Sequence, residues 1–112
     1  MVKAVIHAGV CGFTTRVIAE SEDMQSVTLN IESTCPNITK FAENFPVLDA
    51  YEELGAGQSG TIFEKAGDKT NRCCTGCVVP AGVFKSMQVA AGLALPTPIS
   101  IEIENFWEDQ DV

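Results

Sequence analysis

Five of the 112 residues are cysteines, and three of them lie together in the segment Cys73-Cys74-Thr75-Gly76-Cys77. The Cys-x-x-Cys spacing of Cys74 and Cys77 lets two thiolates bind the same metal ion. The remote Cys11 and Cys35 can complete a set of four thiolates, which is the ligand set of structural zinc and of many iron–sulfur clusters. The sequence therefore predicts that Cys11, Cys35, Cys74 and Cys77 bind an iron–sulfur cluster or zinc, in metal or cluster handling or in electron transfer. Cys73 is predicted to be the spare thiol, because adjacent residues seldom both reach one site.

Two other interpretations of the cysteines stay open. Cys74 and Cys77 could form the redox pair of a dithiol oxidoreductase, in which one thiol attacks and the other resolves. The thiols could instead be structural, in a non-catalytic interaction module. The single histidine, His7, is a candidate ligand or proton carrier, although a hydrogen-bonded structural role is the more common one. No Ser–His–Asp set is identifiable, so a hydrolase has little support. Whether the protein is an enzyme of another kind is left open.

The segment Gly55-Ala56-Gly57-Gln58-Ser59-Gly60 has the Gly-x-Gly-x-x-Gly spacing of dinucleotide-binding loops. Such a loop needs a strand before it and an acidic residue about 20 positions after it. Here a predicted helix comes first, and no carboxylate occurs from Cys73 to Leu95. We therefore predict a loop without a dinucleotide, and leave open whether its amide groups bind a small anion.

Length and charge narrow the possible partners. A chain of this length, 46% hydrophobic and 20% charged, fits a single domain spanning residues 1–112. Seven basic and fifteen acidic residues give a net charge of −8, which disfavours binding to nucleic acid and to anionic membranes. No stretch has the length of a membrane span, and the first residues do not resemble a signal peptide. We therefore expect a cytoplasmic protein, in which cysteines are more often metal-binding or catalytic than disulfide-bonded. A protein partner or a homo-oligomer is left open.

Hydrophobic periodicity predicts four strands and three helices. Strands are expected at residues 2–7, 15–20 and 27–31, and the alternation of Ile99, Ile101 and Ile103 with polar residues predicts a fourth strand near the end of the chain. Helical spacing predicts one helix from Pro36 to Phe45, a second that ends at Gly55, and a third that begins at Pro80 and stops before Pro96. A further turn of helix is expected at 62–66. Residues 106–112 are expected to form a solvated acidic tail.

These elements predict an α+β fold: an antiparallel sheet of about four strands, with helices packed on one face, in the order β-β-β-α-α-α-β. In an antiparallel sheet the connection after the first strand and the one after the third lie at the same end. Cys11 and Cys35 should therefore share one rim of the sheet. Cys74 and Cys77 reach the same rim if the last helix begins there.

Three segments together resemble a small uncharacterised family of proteins from archaea and anaerobic bacteria, namely His7 to Thr15, Ser33 to Pro36 and Cys74 to Pro80. The resemblance spans most of the chain. It implies a domain of unknown function and assigns no role to any residue. An anaerobic setting would favour iron–sulfur chemistry.

Overall fold

The computed structural model describes residues 1–68 and 73–106 of the chain. Its sheet is antiparallel throughout, and the strands lie side by side in chain order. The strands are β1 (Val2–His7), β2 (Thr14–Glu20), β3 (Ser26–Ser33) and the two-residue β4 (Leu48–Asp49). The helices are α1 (Pro36–Phe41), α2 (Ala50–Ala56), α3 (Thr61–Ala66) and α4 (Val79–Ala90). The predicted α+β class is confirmed.

The helices cover one face of the sheet. Along β2 the side chains of Val17 and Ala19 are fully buried while Arg16 and Glu20 are exposed, which is the alternation of a sheet with one solvated face. The longest helix, α4, packs against β1 and β2, and α1 packs against β3. The core between these layers contains Val17, Ala19, Val27, Leu29, Ile38, Phe41, Ile62, Val83 and Met87.

The strand predicted near the end of the chain is wrong. Ile99, Ile101 and Ile103 have exposed fractions of 61%, 67% and 91%, and residues 98–106 contain neither helix nor strand. The fourth strand is instead β4, which pairs with the start of β3. The observed order within the described residues is therefore β-β-β-α-β-α-α-α, with 3₁₀ turns at Gly9–Cys11 and Gly57–Ser59.

The helical spacing of Val47, Leu48, Tyr51 and Leu54 predicts that the second helix includes all four residues, whereas α2 begins only at Ala50. Asp49 ends the strand pairing with Ser26 and caps α2, because its carboxylate accepts the backbone N–H groups of Tyr51 and Glu52 at 2.9 and 3.1 Å. The Ala50 N–H also donates to the Gln25 oxygen at 2.9 Å, which holds residues 48–50 against the sheet.

Residues with a left-handed backbone follow both the first and the last helix; the first helix ends earlier than predicted, and the last stops before Pro96 as predicted. The first helix ends at Phe41 rather than Phe45, because the backbone turns through a left-handed residue at Asn44, where φ is 56°. The last helix ends at Ala90, just before Gly92 with a φ of 75°. Of the predicted acidic tail, residues 107–112 lie outside the described part of the chain. In the two described ranges, no helix has both the length and the apolar character needed to cross a membrane.

Candidate functional site

Cys11 and Cys35 lie at the same end of the sheet, as the strand directions predicted. Cys11 is in the turn between β1 and β2, and Cys35 follows β3 as the N-cap of α1. Two hydrogen bonds join the two connections: the Thr34 N–H donates to the Thr14 backbone oxygen at 3.1 Å, and the Thr14 N–H donates to the Thr34 side-chain Oγ1 at 3.0 Å. The strand ends that carry these cysteines are therefore fixed to each other.

The beginning of α4 lies at that end too. Gly82, in the first turn of α4, is next to the side chain of Ile6 near the end of β1. Gly92, just past the helix, is next to Met24 in the turn between β2 and β3, at the other end of the sheet. The segment that carries Cys73, Cys74 and Cys77 precedes α4, so it approaches the end where Cys11 and Cys35 lie. We call these five cysteines the thiol rim.

The members of the thiol rim differ in exposure. Cys11 and Cys74 are exposed, Cys35 and Cys77 are half-buried, and Cys73 is only 3% exposed and belongs to the core. All five are free thiols. The side chain of Cys73 packs inward while that of its neighbour Cys74 faces solvent, so the two adjacent thiols have different surroundings.

The thiols are close enough to influence one another electrostatically. Burial raises the pKa of Cys73 to about 12, and the neighbouring Cys77, Cys35 and Cys74 add to this increase. The pKa of Cys77 is also raised, first by burial and further by Cys74, Cys35 and Cys11, while a hydrogen bond from the Val79 backbone N–H opposes the increase. The thiols that raise the pKa of Cys77 thus come from all three chain segments that carry the cysteines.

Backbone hydrogen bonds set the positions of the clustered cysteines. The Cys77 N–H donates to the Cys74 oxygen at 3.0 Å, which closes a β-turn with Thr75 and Gly76 at its centre. The Cys73 N–H donates to the Ala66 oxygen at 3.0 Å, which ties this segment to the end of α3. The turn brings the two cysteines of the Cys-x-x-Cys pair close to each other in space.

The side chains of the thiol rim do not form a compact ligand set. Among residues 1–68 and 73–106, no group of three or more His, Cys, Asp or Glu side chains has an arrangement that could hold a metal ion. The Cys11 Sγ instead contacts the Ala8 backbone oxygen at 3.6 Å. The fold thus brings the candidate ligands to one rim, and their side chains would have to move to share one ion.

His7 lies beside the thiol rim on the other face of the sheet. It is the last residue of β1, and it is exposed together with Lys3 and Val5 on the solvated face. Its Nδ1 is 3.4 Å from the Thr14 Oγ1. This contact fits the structural role that the sequence favoured for a single histidine.

The glycine-rich segment has an anionic partner that the sequence did not reveal. The Glu53 carboxylate, 6% exposed, accepts the backbone N–H groups of Thr61 and Ile62, each at 3.0 Å. A Cβ at Gly60 would lie 3.0 Å from the Glu53 Oε2, so glycine leaves room for this carboxylate. The amide groups at the start of α3 are therefore occupied by a residue of the chain itself.

Comparison with known families assigns the chain to a family but to no activity. The chain belongs to DUF6951, a family of unknown function, whose model matches residues 2–103 and so includes all five cysteines. No curated protein and no solved structure matches the chain.

Proposed function

We propose that the thiol rim binds zinc or an iron–sulfur cluster through Cys11, Cys35, Cys74 and Cys77. The observation that supports this proposal is the convergence of three chain segments, the β1–β2 turn, the β3–α1 junction and the start of α4, at one end of the sheet. Sulfur from four cysteines is the donor set that suits zinc and iron–sulfur clusters, and it suits magnesium or calcium poorly.

The proposed ligands must approach one another when the metal binds. Cys11 lies between Gly9 and Gly12, whose φ angles of 82° and 75° are in the left-handed region. Because glycine has no Cβ, it adopts left-handed and right-handed conformations with similar ease, so this turn can change its conformation at low cost. Gly76 has open space around its Cα and allows the Cys74–Cys77 turn to adjust. Sites of this kind are commonly completed by binding, so that metal affinity and local folding are coupled.

The exposure of the rim favours exchange over permanent burial of the metal. Cys11 and Cys74 are exposed, so that a bound ion or cluster would be reached from solvent and by a partner protein. A purely structural zinc site would need no such access. We therefore favour metal or cluster handling, or electron transfer, as the role of the proposed centre.

Metal analysis of anaerobically purified protein tests this proposal. Protein expressed with added iron and zinc should carry about one zinc ion or one cluster per chain, which elemental analysis and the visible absorption spectrum distinguish. Apo-protein should also take up zinc in competition with a chromophoric chelator. Protein that carries no metal after both treatments and unfolds at the same denaturant concentration with and without zinc would overturn the proposal.

The Cys74–Cys77 turn supports a second candidate function, dithiol exchange. The exposed Cys74 thiolate would attack a small-molecule disulfide and release one thiol, and the half-buried Cys77 would then displace the second thiol and leave a Cys74–Cys77 disulfide. Equilibration with defined ratios of reduced and oxidised glutathione, read by mass after alkylation, tests this exchange. A reversible loss of two hydrogens confined to residues 74–77 supports it, and mixed disulfides without ring closure would exclude it.

A further inference from the structure

Residues 99–104, near the end of the described chain, have the alternating sequence of a β-strand but do not form one. From Ile99 to Glu104 apolar and polar residues alternate strictly, and the three isoleucines are 61–91% exposed. In the described part of the chain, no backbone hydrogen bond joins residues 98–106 to the sheet. We call residues 97–106 the arm. An exposed apolar face of this kind is unfavourable in water unless something covers it.

The start of the arm is restricted by two prolines, and the residues that follow them are exposed. The Thr97 N–H donates to the Leu95 oxygen at 2.8 Å, which closes a three-residue turn around Pro96. Pro98 follows at once, and a proline restricts both its own backbone and that of the preceding residue to extended conformations. The described molecule measures 53 × 32 × 24 Å, an elongated shape that agrees with a projecting segment.

The sheet has one free edge that matches the arm. β1 is an edge strand of six residues, the same length as Ile99 to Glu104. Its core-facing side chains Val2, Ala4 and Ile6 pack against the core but are only half-buried, so the core is open along this edge. A strand added beside β1 would place Ile99, Ile101 and Ile103 on the core side and extend the apolar layer.

Charge on the solvated face also favours this edge. Lys3 on β1 and Arg16 on β2 lie together there, with Glu32 of β3 across from Arg16, and within the described residues neither cation forms an ion pair. The polar side of the arm carries Glu102 and Glu104, which would lie on the same face as these two cations. The edge of β3 is less suitable for the arm, because the exposed Glu32 would repel Glu102 and Glu104 and because α1 already packs against that strand.

We propose that the arm adds as a strand to β1 of a second copy of this chain, so that two copies exchange arms in a symmetric dimer. The exchange satisfies the backbone groups of two edges at once, because in a two-fold arrangement each chain both gives and receives a strand. It also covers the isoleucines that the isolated chain leaves exposed.

Sedimentation velocity of the full chain under reducing conditions tests the proposal. The wild-type chain should be dimeric at micromolar concentration, and Ile99→Asp/Ile101→Asp/Ile103→Asp should be monomeric while it keeps the helical circular dichroism signal of the folded domain. Val47→Asp, which changes an apolar residue that is 64% exposed elsewhere on the surface, should remain dimeric. Reducing conditions exclude dimers linked by the exposed cysteines.

Charge reversal tests which edge receives the arm. Glu102→Lys/Glu104→Lys should raise the dissociation constant at least about tenfold, and adding Lys3→Glu should recover part of that loss. A wild-type chain that stays monomeric at about 100 µM would overturn the proposal. So would a dimer that is unaffected by the triple aspartate variant, or a monomer whose arm amides are protected from hydrogen exchange by its own β1.

Discussion

Gly82 and Ile6 are in such close contact that a Cβ added to Gly82 would lie 2.5 Å from the Ile6 Cδ1 and 3.1 Å from its Cγ1. This closeness lets the first turn of α4 approach the end of β1. Because Cys77 precedes that turn by only two residues, the same contact determines how near the Cys-x-x-Cys pair comes to the turn that carries Cys11.

We expect Gly82→Leu to destabilise the protein by about 1–3 kcal/mol, because the added side chain must displace Ile6 or push α4 away from β1. Ile6→Ala frees the space, so the double variant Gly82→Leu/Ile6→Ala should be more stable than the sum of the two single effects. Urea unfolding measures all three variants. Strictly additive effects would show that the two residues do not compete for the same space.

Only part of the thiol rim could be placed from the sequence. Strand directions placed Cys11 and Cys35 correctly, because chain direction in a meander follows from short connections alone. The direction of α4 could not be predicted in the same way, because it depends on the strand expected at Ile99–Ile103, which does not form within the described residues. The helix begins at the rim nonetheless, because a glycine at position 82 permits contact with β1, and this packing has no signature in hydrophobic periodicity.

The face of α2 shows where periodicity fails. Tyr51 and Leu54 follow Val47 and Leu48 at helical spacing, which predicts that both face the core. In the structure they are 55% and 40% exposed, and Glu53 is buried instead. The reason is a polar contact: the Glu53 carboxylate must point inward to accept the N–H groups at the start of α3. A pattern of apolar residues cannot reveal a buried carboxylate whose partners are backbone atoms.

Glu53→Ala should therefore cost about 2–3 kcal/mol, because it leaves the Thr61 and Ile62 N–H groups without their acceptor. Glu53→Gln should cost less, since the amide keeps one acceptor oxygen. The matched control is Glu52→Ala, an exposed neighbour on the same helix, which should change the free energy of unfolding by at most about 1 kcal/mol. Equal losses at Glu52 and Glu53 would contradict the assigned role.

The raised pKa of Cys73 predicts that stability falls at alkaline pH. The folded protein keeps this buried thiol protonated up to a pH of about 12, whereas the unfolded chain releases the proton at the ordinary thiol pKa. Between these two pKa values the folded protein therefore binds more protons than the unfolded chain. The stabilisation that comes from the protonated Cys73 thiol is fully present below the ordinary thiol pKa and is lost as the pH rises through about 12. One such group gives a slope of at most about 1.4 kcal/mol per pH unit.

Urea unfolding of apo-protein at several pH values between neutral and about 10, with reductant present, measures that slope. Cys73→Ala should flatten it, and Cys11→Ala, which changes an exposed thiol, should leave it as in the wild type. The remaining slope in the Cys73 variant is expected from Cys77, whose pKa is raised in the same direction. Identical slopes in wild type and Cys73→Ala would refute this prediction.

The last prediction separates the cysteines of the thiol rim by their role in metal binding. Cys73 is buried in the core and Cys77 is half-buried beside the start of α4, so only the second can turn toward Cys11 and Cys35 without leaving the core. Cys73→Ala should therefore retain the metal content of the wild type, while Cys77→Ser should lose most of it. Elemental analysis of the two variants, purified anaerobically and compared at equal circular dichroism signal, gives the answer. Wild-type metal content in both variants would mean that Cys77 is not a ligand. Loss of metal from both would mean either that Cys73 is a ligand or that binding requires an intact core around Cys73. Cys73→Ser, which keeps a side chain of similar size but no thiolate, distinguishes these two explanations, because it should bind metal only if the intact core is what matters.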